Sequence, residues 1–278
     1  MSSWPPEASR TLRLRRLRHG FALPVAHRGL FEPGQAPENS LEAFRAALDL
    51  GFAMECDVRL DAAGQVRVFH DDALERLTDG VGEFAAVPVD ELAALRLQGT
   101  SSHVPLLREL LELNGGRTPV IIELKSFTEE GWDISGCLEA AVLAVLGSYG
   151  GVALLKSFNP HTVSALLAAD HAWPVGQISC GMSRDGDFGF LGHDEARQLS
   201  RLETEAARGA HFISYGIADL DEGLRFGSIH GEKPWMTWTV RTRAQFEKAA
   251  AMRCQVIFER GVLGDVLAAR ADAGETLL

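Results

Sequence analysis

The chain has 278 residues, with 27 Lys and Arg against 38 Asp and Glu, a formal net charge of −11 and a pI near 5.3. That balance leaves no electrostatic footprint for nucleic acid, so an anionic substrate has to be drawn in by a metal ion or by a few placed cations. Hydrophobic residues make up 46% of the sequence, enough for a sizeable core, and no uncharged apolar run reaches the ~18 residues that a stable membrane helix requires.

The four cysteines, Cys56, Cys137, Cys180 and Cys254, are widely spaced and form no CxxC. Neither a zinc site nor a disulfide framework is suggested, and a reducing, cytoplasmic setting is the simplest inference. Residues 1–20 carry Arg10, Arg13, Arg15, Arg16 and Arg18 with no apolar h-region behind them. They read as a basic arm, solvated or forming a short helix with Leu12, Leu14 and Leu17 as its apolar side, ahead of a single domain over 21–278.

In chain order, the apolar run Leu23-Pro24-Val25-Ala26 stops at His27-Arg28-Gly29, and a turn-rich bend follows over 32–37. Helical spacing covers 40–50, with Asn39 or Ser40 as N-cap and Gly51 as stop. A strand over 52–58 carries Glu55-Cys56-Asp57. After a turn at 61–64, a second strand over 65–69 ends at His70-Asp71-Asp72. Past an irregular stretch at 73–87, helices are predicted over 89–97 and 106–113, then a β-branched strand over 119–125. Strands over 152–157, 173–179, 212–215, 234–240 and 255–259 then alternate with helices over 134–146, 162–169, 195–208, 218–229, 243–252 and 263–271; residues 181–192 read as loop. About eight strand–helix repeats in one chain of this length, with no GxGxxG after a strand, favour a closed (β/α)₈ TIM barrel over an open doubly wound sheet.

Active sites of such barrels form at the C-terminal strand ends. The polar residues ending the apolar runs are His27 and Arg28, Glu55 and Asp57, His70, Glu123 and Lys125, Ser157, Ser214 and Trp238. Side chains alternate across a strand, so Glu55 and Asp57 share a face, as do Glu123 and Lys125. Three carboxylates make an all-oxygen site suited to a hard cation, Mg²⁺ or Ca²⁺, which would offset their mutual repulsion. Lys125 is also the plain structural partner for Glu123, and Glu38 for Arg28. Two imidazoles suit general acid–base work near neutral pH, with Asp71 and Asp72 placed to orient His70 or simply solvated. Arg28 and Lys125 suit a phosphate or phosphodiester, and Trp238 would form an apolar wall for a leaving group.

These residues resemble the glycerophosphodiester phosphodiesterases. The match runs through His27-Arg28-Gly29, Pro37-Glu38-Asn39-Ser40, Glu55-Cys56-Asp57-Val58, Val68-Phe69-His70-Asp71, Ile122-Glu123-Leu124-Lys125, Ser157-Phe158 and Trp238-Thr239-Val240, in family order from about Val25 to Glu259. The resemblance implies a TIM barrel with a bound divalent cation on Glu55, Asp57 and Glu123. It implies His27 and His70 as the acid–base pair, Arg28 and Lys125 on the phosphate, Trp238 near the substrate and Glu38 in support. The sequence departs from the family at Arg241 and at Phe258-Glu259-Arg260, and matches it only loosely at Leu77-Thr78-Asp79-Gly80. Two other readings stay open. One is a lysophospholipase D using Phe127, Trp132, Phe188 and Phe190 at an apolar mouth; the other is a non-catalytic phosphate-binding barrel. The substrate is a small phosphodiester in the first reading, and the sequence leaves the oligomeric state open.

Overall fold

The computed structural model describes residues 6–128, 130–182, 188–228 and 231–273. The strands are β1 (Val25–Ala26), β2 (Ala53–Leu60), β3 (Val66–Val68), β4 (Val120–Leu124), β5 (Phe127–Thr128), β6 (Gly131–Trp132), β7 (Ala153–Ser157), β8 (Val175–Ser179), β9 (Phe212–Gly216), β10 (Trp235–Val240) and β11 (Gln255–Phe258). Eight of them, β1, β2, β4, β7, β8, β9, β10 and β11, pair in parallel, and β1 closes the ring by pairing with both β11 and β2. This is the expected (β/α)₈ barrel in one domain.

The β4 sequence shows how the barrel is filled. All five of its residues are buried, but they face two ways. Ile122 and Leu124 pack outward into the main core with the helices, together with residues such as Phe44, Leu107 and Val142. Ile121 points inward, where it joins Val25, Ala53, Leu154, Phe212, Met236 and Ile257 in a separate apolar plug. Seven strands thus each contribute one residue to a dry floor at the N-terminal end of the barrel. Alternation then dictates the next inward tier, two residues further along each strand: His27, Glu55, Glu123, Lys156, Ser214, Trp238 and Glu259.

Helix α1 (Pro6–Gly20) packs beneath this floor. Its Leu17, with Phe21 and Leu23 just after it, abuts the plug, Arg16 lies 3.4 Å over the Trp173 ring, and Arg13 Nη2 donates to the His171 carbonyl at 2.6 Å. Helix α2 (Leu41–Asp49) starts where expected, with Ser40 Oγ accepting from the Ala43 amide. No described helix is long and apolar enough to cross a membrane.

Four local readings change. The strand before His70 is not a barrel strand: β2 runs on past the barrel wall, turns at 61–64, and β3 returns antiparallel to it, so His70 reaches the mouth on a descending strand. The helix expected over 195–208 is two, His193–Ser200 and Glu205–Gly209. The break falls where Leu202 takes a left-handed φ of +58° and Thr204 caps the second helix through its hydroxyl. Phe127 and Trp132 form a small antiparallel hairpin that periodicity did not announce. The helix expected over 218–229 is Leu220–Gly227. Ile229, residues 183–187 of the expected loop and residues 1–5 of the basic arm lie outside the described residues.

Candidate active site

A cavity of about 470 Å³ opens above the apolar floor and is lined by His27, Arg28, Asp57, His70, Glu123, Lys125 and Lys156 on one side and by Phe127, Phe158, Phe188 and Trp238 on another. Seven of the eight residues given site roles from the sequence therefore line one mouth, and the eighth, Glu55, lies against Asp57 and Glu123. Glu55, Asp57 and Glu123 are buried at 0%, 1% and 6% exposure, and one carboxylate oxygen of each lies within 4.8 Å of the others. Three converging buried oxygens with no nitrogen or sulfur donor among them could hold a hard divalent cation.

Burial alone would protonate such a cluster. For Asp57 and Glu123, neighbouring cations outweigh it. Arg28 Nε is 3.1 Å from Asp57 Oδ2, and Lys125 Nζ is 3.0 Å from Glu123 Oε1 and 3.8 Å from Asp57 Oδ1. Lys156 Nζ is 2.9 Å from Glu55 Oε1 and 3.2 Å from Glu123 Oε2. For Asp57, burial pushes the pKa up, but Arg28, His70 and Lys125 together bring it well below the ordinary carboxylate range. For Glu123, burial is likewise outweighed by Lys125 and Lys156. Asn39 braces Asp57 from the other side, its Nδ2 donating to Oδ2 at 3.0 Å while its Oδ1 accepts from the Asp57 amide at 3.3 Å.

Both histidines are held in the same manner. His27 Nδ1 is 3.1 Å from Glu259 Oε1, and Arg241 grips that carboxylate with two bonds of 2.8 Å. His70 Nδ1 is 2.6 Å from Asp71 Oδ1, and Arg76 grips that carboxylate with two bonds of 2.6 Å. The Glu259 pKa, which burial would raise, is lowered to about 2 by hydrogen bonds from His27 and Arg241. That of Asp71 is also lowered, with burial outweighed by His70 and Arg76. An ionised carboxylate only accepts, so in each imidazole Nδ1 carries the proton and donates it. That leaves Nε2 of each ring to accept; in His27 it lies 4.0 Å from Glu55 Oε2. Arg59, buried on β2, fixes the His70 main chain by donating to its carbonyl at 2.9 Å.

The two clamps differ in reach. Arg76 also donates to both oxygens of Glu38, at 3.0 and 3.1 Å, and Glu38 accepts from Arg28 Nη1 at 2.5 Å. A continuous chain therefore runs from His70 through Asp71, Arg76, Glu38 and Arg28 to Asp57. The ion pair between Arg28 and Glu38 anticipated as the structural alternative is present, and Arg28 still faces the cavity. Its φ of +54° and that of Asn39, +60°, are left-handed, and the Asn39 amide donates to the Arg28 carbonyl.

Gly29 follows with φ +78°, and a Cβ there would lie 2.7 Å from the Ala43 carbonyl carbon of α2. Left-handed strain and a backbone clash add, so Gly29→Ala should cost about 2–4 kcal/mol in a urea unfolding experiment; a loss within ~0.5 kcal/mol would contradict this account.

On the opposite wall the rings run in series. Phe158 packs edge-on to Trp238 (centroids 5.4 Å) and against Phe188 (4.8 Å); Phe188 tilts on Phe127 (5.5 Å), and Trp132 meets Phe127 (5.7 Å) and Phe190 (4.9 Å). The buried indole Nε1 of Trp238 has no hydrogen-bond partner among the described residues. Ser157 is not in the mouth: its hydroxyl donates to the Leu124 carbonyl within the wall. Ser214 does face inward, two residues beyond Phe212. The residues that strand-end reading missed are Lys156 and Arg76. Lys156 carries a signal, because it lies two residues beyond Leu154 on β7 and so shares its face; Arg76 sits in an irregular stretch and carries none.

A family model described as the glycerophosphoryl diester phosphodiesterase family matches residues 27–259. YhdW of Bacillus subtilis strain 168 is 34% identical over 240 residues, spanning 82% of this chain and 90% of YhdW. A glycerophosphodiester phosphodiesterase of Caldanaerobacter subterraneus subsp. tengcongensis is 33% identical over 112 residues, covering 37% of this chain and less than half (45%) of that protein. The fold matches that of an Oleispira antarctica phosphodiesterase solved with the product sn-glycerol-3-phosphate, with a TM-score of 0.67 at 22% identity, over 88% of this chain and 97% of the other. The match runs from the first histidine of the mouth to the glutamate that holds it, through β2 to β11, and the chain belongs to the glycerophosphoryl diester phosphodiesterase family.

Proposed function

We propose that the protein hydrolyses a glycerophosphodiester to glycerol 3-phosphate and an alcohol. The observation that carries this is the pair of imidazoles, each tautomerically fixed through Nδ1, on the rim of a cavity that is also lined by Asp57 and Glu123 and by Arg28, Lys125 and Lys156. His27 and His70 act as general base and general acid. One takes the proton of the attacking hydroxyl as the new P–O bond forms; where the attacker is the neighbouring glycerol hydroxyl rather than water, the cyclic phosphate it forms is opened by water in a second step to give glycerol 3-phosphate. The other protonates the departing alkoxide as the old P–O bond breaks. Arg28 and Lys125 bind phosphoryl oxygens and stabilise the charge that builds there, and Trp238 bounds the substrate.

Glu55, Asp57 and Glu123 would hold the divalent cation, Mg²⁺ or Ca²⁺, which would supply Lewis-acid chemistry to the phosphoryl group. The wide spacing of the four cysteines suits a reducing cytoplasmic setting, and the catalytic domain spans 21–278, with helix α1 (Pro6–Gly20) packed at its base.

The ring series from Trp238 to Trp132 supports a second reading, a lysophospholipid whose acyl chain would lie on that wall. A panel of glycerophosphocholine, glycerophosphoethanolamine and lysophosphatidylcholine, given to metal-stripped protein with Mg²⁺ or Ca²⁺ restored, separates them. Release of glycerol 3-phosphate from the first two is expected. No turnover of either, with either cation, would defeat the proposal, and faster turnover of lysophosphatidylcholine would favour the second reading.

A further inference from the structure

Lys156 has no place in the acid–base or phosphate-binding assignments, yet it is the most deeply buried cation of the site, at 2% exposure. It projects from β7 in the same register layer as Glu123 on β4, which in turn pairs with Asp57 on β2. The sequence around it, Ala153-Leu154-Leu155-Lys156-Ser157, is otherwise that of a buried strand. Burying an ammonium there is unfavourable unless it is paired, and its partners are two of the three carboxylates that could ligate a cation.

The carboxylates are also fully engaged from within the chain. Glu55 Oε1 faces Lys156 and Oε2 accepts from the Arg28 amide at 3.2 Å. Asp57 Oδ1 faces Lys125, and Oδ2 faces Asn39 and Arg28. Glu123 Oε1 faces Lys125 and Oε2 faces Lys156. Three carboxylates against Arg28, Lys125 and Lys156 make a cluster of zero formal charge. A hard cation binds carboxylate oxygens at about 2.0–2.6 Å, so it would enter the space next to an ammonium already 2.9 Å from one of those oxygens. Of the three cations, Lys156 alone contacts Glu55 and Glu123 together.

Resting on the reading of Glu55, Asp57 and Glu123 as cation ligands, we propose that Lys156 is a built-in counter-ion of this cluster: it holds Glu55 and Glu123 in place without metal and weakens divalent-cation binding by competing for both. The metal-free site is thereby kept assembled, and the cation exchanges readily.

The test uses the full chain stripped with chelator. Titration calorimetry with MgCl₂ and CaCl₂ is compared between wild type, Lys156→Gln, Lys156→Met and the charge-retaining Lys156→Arg, and thermal unfolding is recorded with and without each salt. The uncharged variants should bind the cation at least about tenfold tighter than wild type, melt lower than wild type without it, and gain more in Tm when it is added; Lys156→Arg should bind like wild type. An uncharged variant that folds only once cation is present also supports the inference. Unchanged or weaker affinity in the uncharged variants overturns it, as does failure of both to fold at saturating cation. If wild type binds neither cation, the ligand assignment itself has failed, an outcome distinct from wild-type binding with unaltered variants.

Discussion

Replacing His70 by alanine is expected to lower turnover of a glycerophosphodiester by about 10²–10⁴-fold with little change in Tm, and His27→Ala should do the same. Each ring lines the cavity, and neither belongs to the apolar floor or the outer core, so truncation removes chemistry more than packing. The two clamps supply graded controls. Asp71→Asn and Glu259→Gln keep the size of the side chain but no longer demand a proton from Nδ1, so a fraction of rings presents the wrong tautomer to the substrate. Each should reduce kcat by less than loss of the imidazole and leave KM near the wild-type value. Arg76 belongs to two ion-paired groups, Asp71 and Glu38, whereas Arg241 serves Glu259 alone among the described residues. Arg76→Ala should therefore disturb Arg28 as well as His70 and raise KM, while Arg241→Ala should act mainly on kcat. Steady-state kinetics on one substrate decides this. A His70→Ala or His27→Ala enzyme within tenfold of wild type would remove that residue from the acid–base pair.

The family residues were legible because barrel geometry converts sequence phase into position. Val25, Ala53 and Ile121 form the floor, and His27, Glu55 and Glu123 follow each of them by two. The same rule, applied to Leu154 and Phe212, yields Lys156 and Ser214. Taking the last residue of each apolar run instead is out of phase on β7, where it selects Ser157 and passes over Lys156. His70 was found through the wrong geometry, since β3 descends antiparallel to β2. Only the tight turn at 61–64 betrays that hairpin, and a turn does not tell a reader whether the next strand joins the ring. Arg241 and Glu259 read as departures from the family pattern. In three dimensions they are one unit, a guanidinium and a carboxylate 2.8 Å apart that together fix His27. The contact lies 18 residues apart in sequence on neighbouring strands, and no local pattern encodes it. Arg76 is invisible for a similar reason: its two partners, Asp71 after β3 and Glu38 on the loop before α2, are brought together only by the fold.

Asp57→Ala is expected to be the most damaging substitution to fold and activity together. Asp57 is 1% exposed, accepts from Asn39 Nδ2 at 3.0 Å, and is ion-paired with Arg28 (Nε at 3.1 Å) and Lys125 (Nζ at 3.8 Å). Removing one partner of a buried ion pair leaves the other charge uncompensated and costs about 3–5 kcal/mol. Arg28 keeps Glu38 at 2.5 Å and Lys125 keeps Glu123 at 3.0 Å, which places the expected loss near the lower end of that range. Asp57→Asn distinguishes charge from shape. It retains the volume and one oxygen for Asn39 but not the negative charge. If charge dominates, its stability in urea should fall nearly as far as that of the alanine variant; if shape dominates, it should stay near wild type. Both variants should fall below a hundredth of wild-type turnover at saturating Mg²⁺ or Ca²⁺, because each removes an anionic oxygen from the cluster and loosens the Arg28 guanidinium. An Asp57→Ala protein within ~1 kcal/mol of wild type and above a tenth of its turnover would contradict the placement of Asp57 at the centre of the site.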